Sequence, residues 1–469
     1  MSRLRFPTAP GPRGREVMAS VLRGHTREPA QYYRTLVDRF GNVVFMRVGT
    51  KTFCLVNDAY HVEHVLKDNH RNYTKGPGYD RIRPFLGDGL LTSEGEAWRR
   101  QRKLVQPSFH HDAIARFAET VTRLGNSMLD GWEPAARAGR SLDIAAEMAQ
   151  LTLGIVGQTL LGSDTGARAA EVAAAVAEIQ RTADEPGQSW LRVLDVLLPI
   201  RRHVSATVAR HLPTEANRRF RSAVQTLDEI VYRLIAERRR GHAAAKDLLG
   251  LLMQARDDES VDGMSDAQLR DEVMTMLLAG HETTAAALTW AFHLLDGHEE
   301  VESRLRGEFG EVLDGRPPAF ADLGRLPYLD CVLSEVLRLY PPVWRLSRHA
   351  LGEDTVGGYA IPAGCVVLLS PWLTHRNPAY WPDPERFDPD RFRAAASSGR
   401  PRFAYFPFGG GPRICIGNSF ALMEARLILA LVLQRYRLRR LPGHRIEIER
   451  RITIRSRGGM PMRPERVAR

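Results

Sequence analysis

A glycine-rich stretch that contains a cysteine restricts the fold of this chain more than any other feature. It reads Phe-Gly-Gly-Gly-Pro-Arg-Ile-Cys-Ile-Gly from Phe408 to Gly417, and an apolar helical pattern from Phe420 to Tyr436 follows it. The order predicts that Cys415 lies on a tight loop at the start of a helix. Glycines let backbone N–H groups approach the sulfur and a helix N-terminus is partially positive, so we expect a thiolate. Such a thiolate is a metal ligand or a nucleophile, and the plainer alternative is a buried free cysteine.

A second constraint is an unusually long helical pattern that begins at Ser265 and runs to Gly297. Ser-Asp-Ala-Gln at its start is typical of a capping box. Gly280 in its interior costs roughly 1 kcal/mol against alanine, which a closely approaching ligand would compensate. Glu282 and Thr283 follow as polar residues in an apolar helix. They are either a proton-transferring pair, or a hydroxyl bonded to its i−4 carbonyl beside an exposed acid.

The same segment excludes one common metal site. His281 and Glu282 begin a pattern like His-Glu-x-x-His, but the fifth position is Ala285. The zinc-protease motif therefore fails, and we expect His281 to be structural.

Composition limits the class of partner. The net charge is +11 and the sequence pI is about 9.8, so nucleic-acid binding has to be considered. The arginines are scattered through helical patterns without interleaved aromatic residues. We therefore expect no nucleic acid and favour an acidic protein partner.

The cysteines and the N-terminal sequence indicate the compartment. The four cysteines are far apart and form no Cys-x-x-Cys pair, so neither a disulfide framework nor a zinc cluster is predicted. No window approaches a membrane span, and residues 1–14, expected to be a flexible leader, lack the apolar region of a signal peptide. We expect a cytoplasmic protein and interpret the three other cysteines as core residues: Cys54, Cys331 and Cys365.

The remaining patterns predict a mainly α fold with a small β region. Helices are predicted over Pro29–Phe40, from Asp58 to Leu66, over Glu94–Arg102, in succession from His111 to Arg240, and over Tyr328–Leu339. Strands are predicted at Val43–Val48 and Thr52–Val56 as a hairpin, at Tyr359–Leu369, at Arg445–Ile454 and at Met460–Arg463. Asn72–Leu91 is predicted to be a long loop.

Two helical pairs complete the chemical inventory. Trp98 and Arg102 are four residues apart and share one helix face. The plainer alternative for this pair is a surface arginine packed on an indole. Glu335 and Arg338 are three apart, and an exposed pair of this kind contributes only tenths of a kcal/mol.

Taken together, the motifs resemble those of the cytochrome P-450 family of haem-thiolate monooxygenases. The cysteine loop resembles the haem-binding signature, and Ala-Gly-His-Glu-Thr-Thr from Ala279 resembles the oxygen-activation motif. Trp-x-x-x-Arg, Glu-x-x-Arg and the stretch from Trp381 to Phe392 resemble further family motifs, although Asp390 stands where Glu is commoner. The resemblance implies one domain over residues 1–469, with haem b between the long helix and the cysteine loop.

The resemblance also implies roles for individual residues. Cys415 would be the axial ligand of the iron, in a loop where Phe408 shields the sulfur and Gly417 follows it. Glu282 would be the acid and Thr283 the hydroxyl of a proton relay. The residues that would contact the haem propionates are Trp98, Arg102, Arg348 and Arg413. The residues of a buried structural ion network would be Glu335, Arg338 and Arg391.

The substrate pocket is predicted mainly by the same resemblance. Its expected lining is Phe85, Leu86, Leu91, Ala279, Gly280, Thr284, Val343, Trp344, Leu346 and Met460. Trp190–Ile200 would border an entrance, and the Gly458–Gly459 turn would point toward the substrate.

The reaction implied is reductive activation of O2 and oxygen insertion into a lipophilic molecule such as a fatty acid, terpenoid or other natural product. Electrons would come from a ferredoxin or flavodoxin with its NAD(P)H reductase, docking near Arg99, Arg100 and Lys103 on a monomer. One rival is a haem enzyme of this fold that performs ring coupling, desaturation or peroxide-driven oxidation. The other is a non-catalytic haem carrier or gas sensor.

Overall fold

A computed structural model describes residues 8–12, 16–17, 29–48, 51–76, 78–162, 169–184, 214–240, 247–256 and 263–467. The predicted entrance at Trp190–Ile200 lies outside these residues. Within the expected leader, Ala9 is buried and the Phe45 N–H donates to the Pro10 carbonyl at 2.9 Å, so residues 8–12 pack against the first strand.

Helices provide most of the described structure, as predicted. In chain order they are α1 Pro29–Phe40, α2 Ala59–Glu63, α3 Arg83–Leu86, α4 Gly95–Val105, α5 His111–Arg137, α6 Ile144–Leu161, α7 Ala169–Asp184, α8 Glu215–Arg240, α9 Leu248–Gln254, α10 Asp266–Asp296, α11 Glu299–Leu313, α12 Pro327–Leu339, α13 Pro371–Thr374, α14 Ala394–Ser397 and α15 Asn418–Arg435.

The strands form a small β region beside the helices. They are β1 Val43–Val48, β2 Lys51–Val56, β3 Tyr73–Lys75, β4 Leu142–Asp143, β5 Leu346–Ala350, β6 Asp354–Val356, β7 Tyr359–Ile361, β8 Val366–Leu369, β9 Tyr436–Arg440, β10 Glu447–Arg450, β11 Ile454–Arg457 and β12 Pro461–Arg466. The largest sheet has the order β1-β2-β8-β5-β3, with β2 and β8 parallel.

The predicted hairpin and helix starts are confirmed. β1 and β2 pair antiparallel with Val43 opposite Val56. Asp58 accepts hydrogen bonds from the N–H groups of Tyr60 and His61, which caps α2. Ser265 and Gln268 form the predicted capping box of α10. Local signals were sufficient here because each cap is completed within its own first turn.

Several boundaries differ from the prediction, and the strand predicted at Arg445–Ile454 is instead the hairpin of β10 and β11. The helix after Asp58 ends at Glu63 and continues as a π-helical turn, His64–Asp68. The stretch Tyr359–Leu369 is two strands, since Gly364, with φ of 81°, turns the chain between β7 and β8. The predicted loop Asn72–Leu91 contains β3, α3 and a short 3₁₀ turn. Short elements held by tertiary contacts give little periodicity, so the sequence did not reveal them.

α10 lies in the core and positions the candidate site. It packs against α6, α12 and α15, and most of its C-terminal half is buried. Trp290 stacks on Tyr340, with ring centroids 4.2 Å apart and planes 4° from parallel. The apolar surface of α10 is thereby buried on several sides, which stabilises a helix longer than most in globular proteins.

None of the described helices combines the length and apolarity needed to cross a bilayer.

Candidate active site at the cysteine loop

The cysteine loop is a tight turn whose backbone lies directly against a neighbouring element. Gly409 and Gly411 have φ of 73° and 66°. A Cβ on Gly411 would lie 1.8 Å from the carbonyl oxygen of Leu66, in the π-helical turn. The Cys415 N–H donates to the Phe408 carbonyl at 3.0 Å, which closes the loop before α15. Glycine is required at 411 because both the positive φ and the close approach exclude a side chain.

Cys415 faces an internal space. Its side chain is exposed, yet the surrounding protein desolvates the sulfur and raises the pKa of the Cys415 thiol. The Gly417 N–H and the Arg102 charge lower this pKa, but burial outweighs them. The expected thiolate therefore stays a prediction that depends on a metal ion at the sulfur. A metal cation at the sulfur would supply the missing stabilisation of the anion.

The oxygen-activation motif lies on α10. Thr283 Oγ1 donates to the Ala279 carbonyl at 3.0 Å, and Thr284 Oγ1 donates to the Gly280 carbonyl at 3.4 Å. Both hydroxyls thus make the i−4 bond of the plainer alternative. A Cβ on Gly280 would lie 3.3 Å from Val156 of α6, so close helix packing accounts for this glycine without a ligand.

The two residues before Thr283 have different environments. Glu282 is half-buried and accepts hydrogen bonds from Arg455 Nε at 2.7 Å and from the Thr453 hydroxyl. His281 is buried, its Nδ1 lies 2.6 Å from the Leu277 carbonyl, and burial lowers its pKa. The acid is therefore held by the C-terminal segment around β11, while His281 is structural, as predicted.

The four residues predicted to meet propionates surround the cysteine loop. Arg102 Nη1 donates to the Ile414 carbonyl at 2.8 Å, and the Arg413 guanidinium lies 4.3 Å from the centre of the Trp98 indole. Arg348 is buried close to Arg413. Burial is the main cause that lowers the pKa of Arg413, the charge of Arg348 lowers it further, and Glu94 opposes both effects. The structure thus brings together residues from α4, β5 and the loop.

This group fits a haem with two carboxylates. Arg413 Nη1 is buried and has no hydrogen-bond partner among the described residues. An unpaired buried guanidinium nitrogen is costly unless an acceptor fills the position. A propionate would be such an acceptor, and the accessible sulfur of Cys415 would meet the iron.

Two charged residues of the site were missed in the sequence. Lys75 Nζ donates to the carbonyls of Leu90 and Ser93 at 2.9 and 3.0 Å, and burial lowers its pKa to about 7. Glu94 accepts the Lys75 backbone N–H at 2.6 Å and pairs with Arg413. A lysine in the predicted loop and an acid at a helix start were the available signals.

A third missed residue lies behind the oxygen-activation motif. Glu424, on α15, is fully buried, and neither carboxylate oxygen has a geometrically good hydrogen bond among the described residues. Burial raises the pKa of Glu424 to about 8, and an interaction with the Thr284 hydroxyl opposes the rise. An acid in the middle of the apolar pattern after Cys415 was the signal.

The predicted structural network is assembled. Arg338 Nε and Nη2 bond the two oxygens of Glu335 at 2.6 and 2.8 Å, and both side chains are fully buried. Arg391 Nε lies 3.6 Å from Glu335 Oε1. Asp390 instead contacts Arg304 at 3.0 Å, outside this network.

His375 connects the network to the polypeptide leading into the cysteine loop. Arg338 Nη1 donates to the His375 carbonyl at 2.9 Å. His375 Nε2 accepts the Phe406 N–H at 2.9 Å, and burial lowers its pKa well below the usual value. His375 is therefore neutral and was not predicted, because its partners are distant in sequence.

The predicted pocket residues divide into two groups. Thr284, Phe85, Leu86, Trp344 and Met460 are buried, and Trp344 packs on Tyr33 with its indole N–H donating to the Arg451 carbonyl at 2.8 Å. Leu346 lies beside the cysteine loop at Gly409. The residues of the second group are half-buried or exposed: Leu91, Ala279, Gly280, Val343 and Leu346.

α3 and the loop after it are fixed to α10 by backbone hydrogen bonds. The Asp88 N–H donates to Asp271 at 2.8 Å, and the Leu90 N–H donates to Glu272 at 3.1 Å. The carboxylates of two neighbouring acids of α10 thus hold the loop that follows α3 and leads to Leu91.

The chain is similar to known proteins over nearly its whole length. The family model described as cytochrome P-450 matches residues 9–459. The chain is 38% identical over 440 residues to cyclooctat-9-en-7-ol 5-monooxygenase of Streptomyces melanosporofaciens, covering 93% of this chain and 90% of that one. It is 37% identical to cyclooctatin synthase of the same organism, covering 95% and 94%.

Two further comparisons agree. Pentalenene oxygenase of Streptomyces avermitilis is 33% identical, covering 92% of this chain and 91% of the relative. The crystal structure of a cytochrome P-450 heme domain superposes with a TM-score of 0.84 at 26% identity, covering 99% of this chain and 98% of that one.

Proposed function

The chain belongs to the cytochrome P-450 family, and on that premise we propose that it hydroxylates a terpenoid skeleton. It is a haem b monooxygenase that takes O2 as co-substrate, a small lipophilic molecule as substrate and electrons from redox partners. The terpenoid class is supported by the printed names of two relatives, a monooxygenase of cyclooctat-9-en-7-ol and an oxygenase of pentalenene.

The observation that carries the proposal is the arrangement of the cysteine loop. An accessible Cys415 sulfur lies in a desolvated site near Arg102, and Arg348 lies close to Arg413 of the same loop. We infer that these cations and Trp98 hold the propionates while Cys415 ligates the iron and Phe408 shields the sulfur. Haem held there supplies O2 activation and transfer of one oxygen atom to the substrate.

The protein's own part in the reaction is proton supply and exclusion of water. We propose that Thr283 Oγ1 holds the proton nearest the position where O2 would bind, and that Glu282 reprotonates this hydroxyl. Glu282 is tied to Arg455 and Thr453, so it must exchange these partners to deliver a proton. The apolar side chains of α3 and the α10 face keep bulk water away from the same space.

Substrate binding gives a direct test of the terpenoid proposal. Holoenzyme would be titrated with cyclic terpene alcohols and hydrocarbons and, as the competing class, with fatty acids of similar size. We expect terpenoids to change the haem spin state and to yield products that carry one atom from ¹⁸O2. A spin-state change and labelled products with fatty acids alone would overturn the terpenoid assignment.

The relay has a test of its own. Thr283→Ala should divert reducing equivalents into hydrogen peroxide, because the proton donor nearest the oxygen side is removed. Thr289→Ala is a matched control, since Thr289 is buried on the same helix and makes the same i−4 bond at 2.7 Å. Unchanged peroxide formation in Thr283→Ala, or an equal rise in both variants, would contradict the relay.

For the electron donor we propose an acidic ferredoxin, with a flavodoxin as the alternative. Arg99 and Lys103 are exposed on α4 and Arg100 is half-buried there, on the helix that carries Trp98. Reduction of the holoenzyme by ferredoxin should slow as ionic strength rises, because exposed charges are screened. A salt-independent rate would argue against docking on this helix.

A further inference from the structure

Glu94 occupies the N-cap position of α4 without acting as a cap. Its backbone is extended, with φ −135° and ψ 168°, as an N-cap residue requires. Among the described residues, however, its side chain accepts no hydrogen bond from the first turn of α4. Glutamate is not among the residue types preferred at an N-cap, and the partners of the Glu94 carboxylate lie outside α4.

Each oxygen of Glu94 has a partner outside α4, one a backbone N–H and the other a guanidinium. Oε1 accepts the backbone N–H of Lys75 at 2.6 Å, and Oε2 pairs with Nη2 of Arg413. The pair is largely buried, with side-chain exposures of 15% for Arg413 and 29% for Glu94. One carboxylate therefore connects β3, α4 and the cysteine loop.

The effect on Arg413 is to fix its guanidinium with one nitrogen left unpaired. The Trp98 indole lies under the guanidinium at 4.3 Å, and Glu94 binds Nη2. Nη1 is buried and has no hydrogen-bond partner among the residues described. A planar guanidinium held by its face and by one edge presents its remaining N–H groups in one direction, as bidentate recognition of a carboxylate requires.

Charge balance gives Glu94 a second task. Lys75, Arg348 and Arg413 lie close enough that the charges of Arg413 and Arg348 lower the Lys75 pKa, after burial itself. Glu94 is the acid whose interaction raises the pKa of both Lys75 and Arg413. The charge of Glu94 therefore reduces the repulsion between Lys75 and Arg413, both without haem and with the two propionates bound.

We propose that Glu94 is a positioning residue of the haem site: it aims Arg413 Nη1 at a propionate and adds a negative charge beside the haem. The inference rests on haem binding and not on the terpenoid assignment. It assigns two separable effects, since orientation governs how firmly haem is held and charge governs how readily the iron accepts an electron.

Three substitutions in the holoenzyme separate these effects. Glu94→Ala removes both, Glu94→Gln removes the charge but keeps an acceptor of similar shape, and Glu94→Asp keeps the charge but withdraws it. The matched control is Glu96→Gln, because Glu96 is exposed on the same helix and its ion pair with Arg99 lies at the surface. The readouts are the rate of haem transfer to apomyoglobin and the reduction potential of the haem iron.

We expect Glu94→Ala to release haem roughly fivefold to tenfold faster, as the loss of about one hydrogen bond would cause. Glu94→Gln should release haem more slowly than Glu94→Ala. Both should raise the reduction potential, since a neighbouring negative charge opposes electron addition. Glu94→Asp should lose haem faster with little change in potential, and Glu96→Gln should match the wild type in both measurements.

Three outcomes would overturn the proposal. One is slower haem release from Glu94→Ala, which would mean that Glu94 competes with the propionate for Arg413. Another is wild-type release and potential in both Glu94→Ala and Glu94→Gln. The third is an equal change in Glu96→Gln. If Glu94→Ala fails to fold, the near-isosteric Glu94→Gln still decides the effect on potential. No readout involves a substrate, so failure of the terpenoid assignment would leave these results unchanged.

Discussion

Two arginines of this molecule have opposite environments: Arg338 is fully buried in the structural network, and Arg413 is half-buried in the cysteine loop. Arg338 uses Nε, Nη1 and Nη2 in hydrogen bonds to Glu335 and to the carbonyls of His375, Pro384 and Arg386. Arg413 pairs through Nη2 with Glu94 and leaves Nη1 unpaired among the described residues. A buried guanidinium whose nitrogens are satisfied by the protein stabilises the fold, whereas one that lacks an acceptor indicates where a ligand belongs.

The sharpest way to break this comparison is to remove Arg338. Arg338→Ala leaves Glu335 buried without its main partner, and removing one member of a buried pair costs roughly 3–5 kcal/mol. We expect low soluble yield and a large loss of thermal stability, measured by calorimetry, with and without haem. Arg386→Ala is the control, because Arg386 is exposed and pairs with Asp388 at 2.9 Å. Equal stability of the two variants would show that the network is not structural.

A second test concerns the backbone that the Arg338 network supports. Gly411→Ala places a Cβ against the Leu66 carbonyl as well as in a left-handed conformation. Gly358→Ala has a similar φ of 79° but no atom within 4 Å of the new Cβ. We expect the control to lose roughly 1–2 kcal/mol from φ alone, and Gly411→Ala to lose considerably more stability together with haem. Similar losses in thermal unfolding would show that the close contact is relieved at no cost.

The buried carboxyl of Glu424 makes a contrasting prediction about pH. Burial raises the folded-state pKa of Glu424 to about 8, while in the unfolded chain the carboxyl ionises near its ordinary pKa of 4.5. The folded state therefore binds the extra proton between these values, and stability falls by up to about 1.4 kcal/mol per pH unit as pH rises through that window. Glu424→Gln should remove this slope relative to the wild type, as measured by thermal unfolding from pH 5 to pH 8.

The control for Glu424 is an ordinary surface acid. Glu311→Gln, on the exposed part of α11, should keep the wild-type dependence on pH. If Glu424→Gln follows the wild type as well, the carboxyl is ionised in the folded protein.

The sequence could predict the groups that lie close together on one helix. Glu335 and Arg338 are neighbours on one helix face, and Trp98 and Arg102 on another, so short spacing was sufficient to group each pair. The cap of α10 is equally local. In the structure each pair lies on one helix, α12 and α4 respectively, and helix geometry brings residues three or four apart together wherever the helix lies.

The rest of the site depends on contacts between distant segments. Glu94 meets Arg413 across 319 positions of sequence, and His375 meets Arg338 across 37. The sequence around Glu94 and His375 contains no pattern that predicts these partners. The Cys415 thiol is the clearest case: glycine N–H groups and a helix start indicate a thiolate, but the larger opposing contribution, desolvation by the assembled protein, is not visible in a local sequence.

The most discriminating experiment within the comparison is Arg413→Gln. Because Arg413 pairs with one partly exposed acid, Glu94, and Arg338 is fully buried among several partners, the variant should keep its secondary structure and lose much less stability without haem than Arg338→Ala does. Its affinity for haem should fall by an amount equal to a charged hydrogen bond, roughly 1.5–3 kcal/mol. Haem titration of the apoprotein and calorimetry of the same samples measure the two quantities separately. A stability loss as large as that of Arg338→Ala would mean that the unpaired nitrogen of Arg413 does not mark a ligand site, and that both arginines are structural.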